Sequence, residues 1–126
     1  MHPILRAQAK STDGAQALML DTLLDRDGIM RVDFVKLDVD GHECAVLRGG
    51  LTMFKRDRPV MVLELSPYIL EEAGSSLGEL LSLLTGCGYR LAALGSGRQL
   101  PMTPAELRQL IPENGGINAV ATAVAP

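Results

Sequence analysis

Four ionisable side chains fall within one short segment of the chain: Asp38, Asp40, His42 and Glu43. They directly follow an apolar, β-branched run, and a further acid, Glu64, lies near the end of the next such run. Ligands of open α/β sheets bind at the carboxyl ends of the strands, so we expect these carboxylates to face one crevice. Carboxylates and an imidazole in a crevice can exchange protons with a substrate or hold a divalent ion.

Structural roles also account for several of these residues. Asp40 and Glu43 have the spacing of a helix capping box, and Glu64 could pair with Lys36 across the sheet. The segment does not follow the calcium-loop pattern, since Glu43 and Gly49 stand where that loop requires Gly and Glu. An acid at a buried strand terminus needs a partner, so Asp38 is the strongest candidate for function.

The elements that would position these residues alternate between strands and helices. Helices are predicted at residues 21–26, 43–55, 77–85 and 104–111, and strands at Val32–Leu37, Val60–Leu65, Tyr89–Leu94 and Ile117–Val124. The nearly continuous apolar run Val60–Leu65 suits a strand buried on both faces. The alternation predicts an α/β domain with a mostly parallel sheet and flanking helices. Two connections, Ser66–Ser75 and Gly95–Thr103, would then be the loops that set substrate choice.

Composition excludes several classes of protein. The chain has 126 residues, with 12 Lys and Arg against 15 Asp and Glu, and its four aromatic residues are scattered. That balance argues against nucleic-acid binding. No apolar run is long enough to cross a membrane, and the first residues lack the apolar core of a secretory signal, so we predict a cytoplasmic protein. Cys44 and Cys87 are predicted to be buried free thiols. Residues 1–17 are predicted to be a flexible arm before a single domain at 18–126.

A longer motif surrounds the acidic segment. From Val32 to Gly50 the chain reads V-D-F-V-K-L-D-V-D-G-H-E-C-A-V-L-R-G-G. This run resembles the central motif of the FkbM-type methyltransferases, approximately V-D-hydrophobic-hydrophobic-K-I-D-V-E-G-x-E-x-x-V-L-x-G-A. The upstream Leu20-Asp-Thr-Leu-Leu, the pair Arg58-Pro59 and the later Gly88-Tyr-Arg-Leu are similar to the family as well. Asp40 departs from the pattern, because the family usually has Glu there.

The resemblance implies a Rossmann-like fold, similar to the C-terminal half of a class I methyltransferase, with S-adenosylmethionine as cofactor. Such enzymes often methylate hydroxyl groups of sugars or secondary metabolites. By the resemblance, Asp38 is the acid beside the transferring methyl group and contacts the cofactor, and Asp38 or His42 is the base. Asp40, Glu43 and Glu64 become acids on the substrate side of the site.

The part of the family pattern that precedes this motif is not found. Residues 1–31 contain no Gly-rich first turn and no acid placed to hold the cofactor ribose. We therefore predict a partial domain that lacks the cofactor-binding N-terminal half. An uncovered strand edge invites pairing with another chain, so the edge of Val32–Leu37 is predicted to be covered by the N-terminal arm, by a second copy or by a separate polypeptide. The alternatives are a non-catalytic interaction module and a metal-binding α/β domain.

Overall fold

The computed structural model describes residues 18–124, so the predicted arm at 1–17 lies outside the described residues. The described part of the chain forms six helices and four strands. In chain order they are α1 (Leu20–Arg26), β1 (Phe34–Leu37), α2 (Glu43–Gly49), α3 (Leu51–Asp57), β2 (Val60–Leu65), α4 (Pro67–Glu72), α5 (Leu77–Gly86), β3 (Tyr89–Ala93), α6 (Pro104–Gln109) and β4 (Ile117–Ala123). No helix within residues 18–124 is long and apolar enough to cross a membrane.

The four strands form one mixed sheet in the order β1-β2-β4-β3. Only β1 and β2 pair in parallel, whereas β4 pairs antiparallel with both β2 and β3. One of the three strand pairings is parallel and two are antiparallel, so the prediction of a mostly parallel sheet is wrong. β4 begins at the end of the sheet where β3 stops and runs back between β2 and β3. The alternation of strands and helices does not fix the direction of this last strand.

The predicted helix at residues 43–55 is two helices that meet at Gly50. The carboxylate of Asp21, on α1, accepts hydrogen bonds from the backbone N–H groups of Thr52 and Met53 at 2.9 and 3.0 Å. These are N–H groups that the first turn of α3 leaves without a partner inside the helix. A distant carboxylate thus stabilises the start of α3, which has no acidic residue in its own first turn.

The sequence predicted a loop at Ser66–Ser75, but this segment contains the helix α4. Pro67 is at the start of this helix, where its missing N–H costs nothing, and Ser66 is the N-cap. The remaining elements are confirmed, with strand ends that differ from the predicted ones by up to two residues. The predicted cap of α5 is present, since the Ser76 hydroxyl accepts from the Glu79 N–H at 3.1 Å.

The core lies between the helices and one face of the sheet. Most strand residues on this face are almost fully buried: Leu37, Met61, Leu63, Leu65, Tyr89, Leu91, Ala119 and Ala121. The helices add large apolar side chains such as Phe54, Leu47 and Leu80. Cys44 and Cys87 belong to the same core as free thiols, which confirms that prediction.

The other face of the sheet has no helix over it among the described residues. We call it the open face. None of its strand residues is buried: Phe34, Lys36, Val60, Val62, Glu64, Arg90, Ala92, Asn118, Val120 and Thr122. The prediction that β2 is buried on both faces is therefore wrong for this part of the chain. Both crossovers, from β1 to β2 and from β2 to β3, advance in the same direction across the sheet. Right-handed crossovers in one direction place their helices on the same face.

Candidate functional site

The carboxyl ends of β1 and β2 border a small cavity of about 10 Å³. Four of its lining residues are the acids that the sequence analysis singled out: Asp38, Asp40, Glu43 and Glu64. Gly41, Ser66, Ile69 and Leu70 complete the lining. We call this arrangement the acidic crevice. The structure thus brings the four predicted carboxylates to one place, as the strand-end argument requires.

A tight turn carries the acids from β1 into α2. The N–H of His42 donates to the carbonyl of Val39 at 3.1 Å, and Asp40 and Gly41 both have positive φ, at 50° and 96°. Asp40 is consequently a turn residue and does not cap the helix. The N-cap of α2 is His42, without a side-chain hydrogen bond, so the predicted capping box is wrong.

Two glycines that the sequence analysis missed shape the walls of the crevice. A Cβ on Gly41 would lie 2.6 Å from the carbonyl oxygen of Ile69 on α4, which shows how closely the turn packs against that helix. A Cβ on Gly116, just before β4, would lie 2.8 Å from a carboxylate oxygen of Glu64. The Asp40-Gly41 pair is a turn signal that indicates the first glycine from sequence. No local signal indicates the second, because its contact joins residues distant in the chain.

The four carboxylates differ in burial. Asp38, Asp40 and Glu64 are exposed. The prediction that Asp38 lies at a buried strand end is therefore wrong. Glu43 is only 5% exposed. Burial raises the pKa of the Glu43 carboxyl, while backbone hydrogen bonds at Glu43 itself, Val39 and Gly41 act in the opposite direction. The charge of nearby Asp40 adds to the increase.

This burial predicts a pH-dependent contribution of Glu43 to stability. A carboxyl whose pKa is higher in the folded than in the unfolded chain stabilises the fold at low pH, and that contribution is lost as the pH rises above about 4.5 through the folded pKa. We therefore expect Glu43→Gln to flatten the fall in unfolding free energy over that range, measured by urea denaturation at several pH values. The exposed Glu113→Gln is the matched control and should leave the pH profile unchanged; a Glu43→Gln profile identical to wild type contradicts the assignment.

No cation neutralises the acidic crevice within the described part of the chain. The ion pairs among residues 18–124 join other acids, for example Arg108 with Glu71 and Arg56 with Asp57. The predicted pair between Lys36 and Glu64 does not form, because Lys36 is in register with Val62 and Glu64 with Asn118. The crevice therefore carries a net negative charge.

His42 faces a different surface. It lines an apolar groove of about 900 Å³ between α1 and α2, together with residues such as Leu23, Val39 and Val46. It does not line the acidic crevice, although its sequence neighbours on both sides do. The structure thus separates His42 from the carboxylates with which the sequence grouped it. Among residues 18–124 there is no group of three or more His, Cys, Asp or Glu placed to hold a metal ion.

Comparison with known protein families adds evidence from the sequence as a whole. The family model of the methyltransferase FkbM domain matches residues 2–91. The chain belongs to the FkbM methyltransferase family. The matched segment includes β1, β2 and the turn between β1 and α2, so every acid of the crevice lies within the FkbM match. No curated protein and no solved structure matches the chain.

S-adenosylmethionine is the usual cofactor of a methyltransferase, and the charge of the acidic crevice suits its sulfonium group. The exposed carboxylates of Asp38, Asp40 and Glu64 have no cationic partner among residues 18–124 and complement a positively charged sulfonium. A cavity of about 10 Å³ has room for a water molecule. It does not enclose a nucleoside, since ligand pockets usually measure about 300–1,000 Å³.

Proposed function

We propose that the chain acts in S-adenosylmethionine-dependent O-methyl transfer to a hydroxyl group of a sugar or a secondary metabolite. The observation that carries the proposal is the convergence of four carboxylates at the ends of β1 and β2, without a neutralising cation in the described part of the chain. Membership of the FkbM family supports methyl transfer as the reaction class.

Asp38 is the proposed proton acceptor. When bound, S-adenosylmethionine supplies a methyl group activated by its positively charged sulfur. The chain has to orient the acceptor hydroxyl toward that methyl group and take up its proton. Asp38 directly follows β1 at the crevice and is exposed, so a hydroxyl can reach its carboxylate. His42 lies on the separate apolar groove, and we therefore assign the base role to Asp38 alone.

The remaining acids receive different roles. Asp40 and Glu64 are exposed on the crevice and can accept hydrogen bonds from further hydroxyl groups of the acceptor. The buried Glu43 cannot present its carboxylate to a substrate in the same way. We propose that it is a positioning residue, because its hydrogen bonds with the backbone of Val39 and Gly41 involve the turn that connects Asp38 and Asp40 to α2.

The nucleoside part of the cofactor needs a wall that residues 18–124 do not form around the crevice. We propose that this wall comes from outside the described residues, in line with the prediction of a partial domain. The strand β1 is at the edge of the sheet and pairs only with β2 among the described strands. The pairing of this edge with a second copy or a separate polypeptide remains a prediction.

Methyl transfer is tested with S-adenosylmethionine labelled at its methyl group. The purified chain is incubated with panels of sugars, glycosides and hydroxylated aromatic compounds, and labelled product and S-adenosylhomocysteine are measured together. Equal amounts of both, with the label on an oxygen, support the proposal. Label on nitrogen or carbon contradicts O-methyl transfer. If a folded chain neither binds the cofactor at millimolar concentration nor methylates any acceptor, the second candidate is favoured: an interaction module, which the open face of the sheet supports.

A further inference from the structure

A second cavity, of about 310 Å³, lies next to the acidic crevice. We call it the side pocket. Its lining includes Pro67, Tyr68 and Glu71 of α4, Arg108 of α6, and Glu113 and Asn114 of the connection from α6 to β4. Cavities that bind small molecules usually measure about 300–1,000 Å³. The side pocket therefore has room for a ligand that the acidic crevice cannot enclose.

A shared wall separates the side pocket from the acidic crevice. Ser66 lines the crevice, and its hydroxyl donates to the carbonyl of Gly115, which lines the side pocket, at 3.2 Å. The next residue, Gly116, lies against the carboxylate of Glu64. Both cavities are thus at the end of the sheet where β2 ends and β4 begins, and a ligand long enough to pass Ser66 would contact both.

The strand register gives the distance that such a ligand has to span. Leu37 is in register with Leu63. A continuation of this register places Asp38 beside Glu64, and Ser66 lies two residues further along. With strands about 4.8 Å apart and about 3.3 Å per residue, Asp38 and Ser66 are roughly 8 Å apart. A single sugar ring held in the side pocket, beyond Ser66, cannot bring a hydroxyl group to Asp38, whereas two linked rings can.

The lining combines an aromatic ring with groups that donate and accept hydrogen bonds. Tyr68 is 46% exposed, so the face of its ring can contact the C–H groups of a sugar. The Arg108 guanidinium donates to the Glu71 carboxylate at 3.0 Å, which leaves further N–H groups for a ligand. The exposed Asn114 adds an amide that both donates and accepts. Sugar hydroxyl groups also donate and accept, so this lining is complementary to a sugar.

Charge and polarity of the lining narrow the class of ligand. Arg108 provides one positive charge, whereas Glu71 and Glu113 provide two negative ones. The net negative charge disfavours a ligand that carries a phosphate or carboxylate group. Ligands with a large apolar surface need mostly apolar walls, but polar side chains make up most of this lining. A neutral sugar satisfies both conditions, and a flat aromatic compound does not.

We propose that the side pocket binds one unit of a neutral sugar chain and that the adjoining unit presents its hydroxyl group to Asp38. Tyr68 packs against the ring of the bound unit, and Arg108 and Asn114 hydrogen-bond to its hydroxyl groups. This inference concerns acceptor binding and rests on the proposed function, whose acceptor it narrows to a neutral oligosaccharide. Tyr68 and Glu71 belong to the segment for which the sequence predicted a part in substrate choice.

Tyrosine fluorescence reports binding, because the chain has two tyrosines and no tryptophan. Tyr89 is buried and its hydroxyl donates to the carbonyl of Pro59, so a change caused by sugar arises from Tyr68. The chain is titrated, without S-adenosylmethionine, with neutral disaccharides that cover the α and β linkages of common hexoses. We expect saturable binding of a disaccharide at millimolar concentration. Its component monosaccharides and their 6-phosphates should bind about tenfold more weakly or less.

Two substitutions test the residues assigned to the side pocket. Tyr68→Leu removes the ring and Arg108→Ala removes the guanidinium, and each should weaken disaccharide binding about tenfold. Tyr68→Phe keeps the ring and should bind like wild type. Arg98→Ala is the matched control on an exposed residue outside the side pocket and should have no effect. Calorimetry measures binding by the variants that lack Tyr68, and circular dichroism confirms that each variant is folded.

Three results overturn the proposal. Failure of every disaccharide to bind at millimolar concentration excludes a sugar site. Wild-type affinity in folded Tyr68→Leu and Arg108→Ala places the sugar elsewhere on the chain. Equal or tighter binding of a 6-phosphate shows a site for anions instead.

The two proposals can fail separately. Disaccharide binding that depends on Tyr68 and Arg108, but without methyl transfer, supports the side pocket and counts against the proposed function. Methyl transfer to a hydroxylated aromatic compound, without disaccharide binding, supports the reaction class and overturns the side pocket as the acceptor site.

Discussion

Gly41→Ala is expected to lower the free energy of unfolding by about 3 kcal/mol. Two effects combine at this position. The residue has φ of 96°, where a side chain is strained, and a Cβ there would lie 2.6 Å from the carbonyl oxygen of Ile69 and 2.9 Å from the Cβ of Ala73. The turn and α4 would have to separate. A loss of this size is a large part of the 5–15 kcal/mol that typically stabilises a domain.

Gly95→Ala is the matched control for this substitution. Gly95 has nearly the same φ, 94°, but a Cβ there meets nothing within 4 Å. Gly95→Ala should therefore lower the free energy of unfolding only by the cost of the backbone conformation, about 1 kcal/mol. Urea denaturation of both variants separates the cost of the close approach from the cost of the backbone conformation. Equal losses in the two variants would show that the turn does not pack tightly against α4.

Asp38→Asn is expected to reduce kcat for methyl transfer about 10²–10⁴-fold, because an amide cannot accept the proton of the acceptor hydroxyl. The change should leave stability within about 0.5 kcal/mol, since Asp38 is exposed and forms no ion pair with a described residue. Label transfer from S-adenosylmethionine measures the rate, and urea denaturation measures stability.

The control for Asp38→Asn is Asp25→Asn, the same chemical change on the exposed side of α1, which should keep the wild-type rate. Asp40→Asn distinguishes the role of Asp40 from that of Asp38. If Asp40 binds the acceptor, its substitution should change KM more than kcat. A wild-type kcat in Asp38→Asn would remove this residue from the mechanism. A loss of kcat together with unfolding would show a structural role instead.

The local order of elements could be predicted from sequence because capping residues, Gly and Pro mark their ends. Ser76 at the start of α5 and Pro104 at the start of α6 illustrate this. The direction of β4 could not be predicted, since neither the residues of the strand nor the alternation of strands and helices specifies it. The helix α4 was missed because Ser66-Pro67 indicates a break as readily as a helix start.

The site was predicted in position but not in detail. Strand-end reasoning placed Asp38 and Glu64 together, and the structure has both on one crevice. Asp38 is exposed and Glu43 is buried on either side of the turn at Asp40 and Gly41. The Asp-Gly pair indicates a turn, but not which neighbouring side chains the turn buries. The turn also sends His42 to the apolar groove, so proximity in sequence did not give proximity in the site.

Titration calorimetry of the folded chain with S-adenosylmethionine tests the central claim, that the acidic crevice binds the cationic end of this cofactor. We predict saturable binding at one site per chain, about tenfold tighter than that of S-adenosylhomocysteine, whose sulfur is neutral. Asp38→Asn should reduce this preference. No saturable heat at millimolar S-adenosylmethionine, or equal binding of both compounds in wild type and variant, would contradict the account.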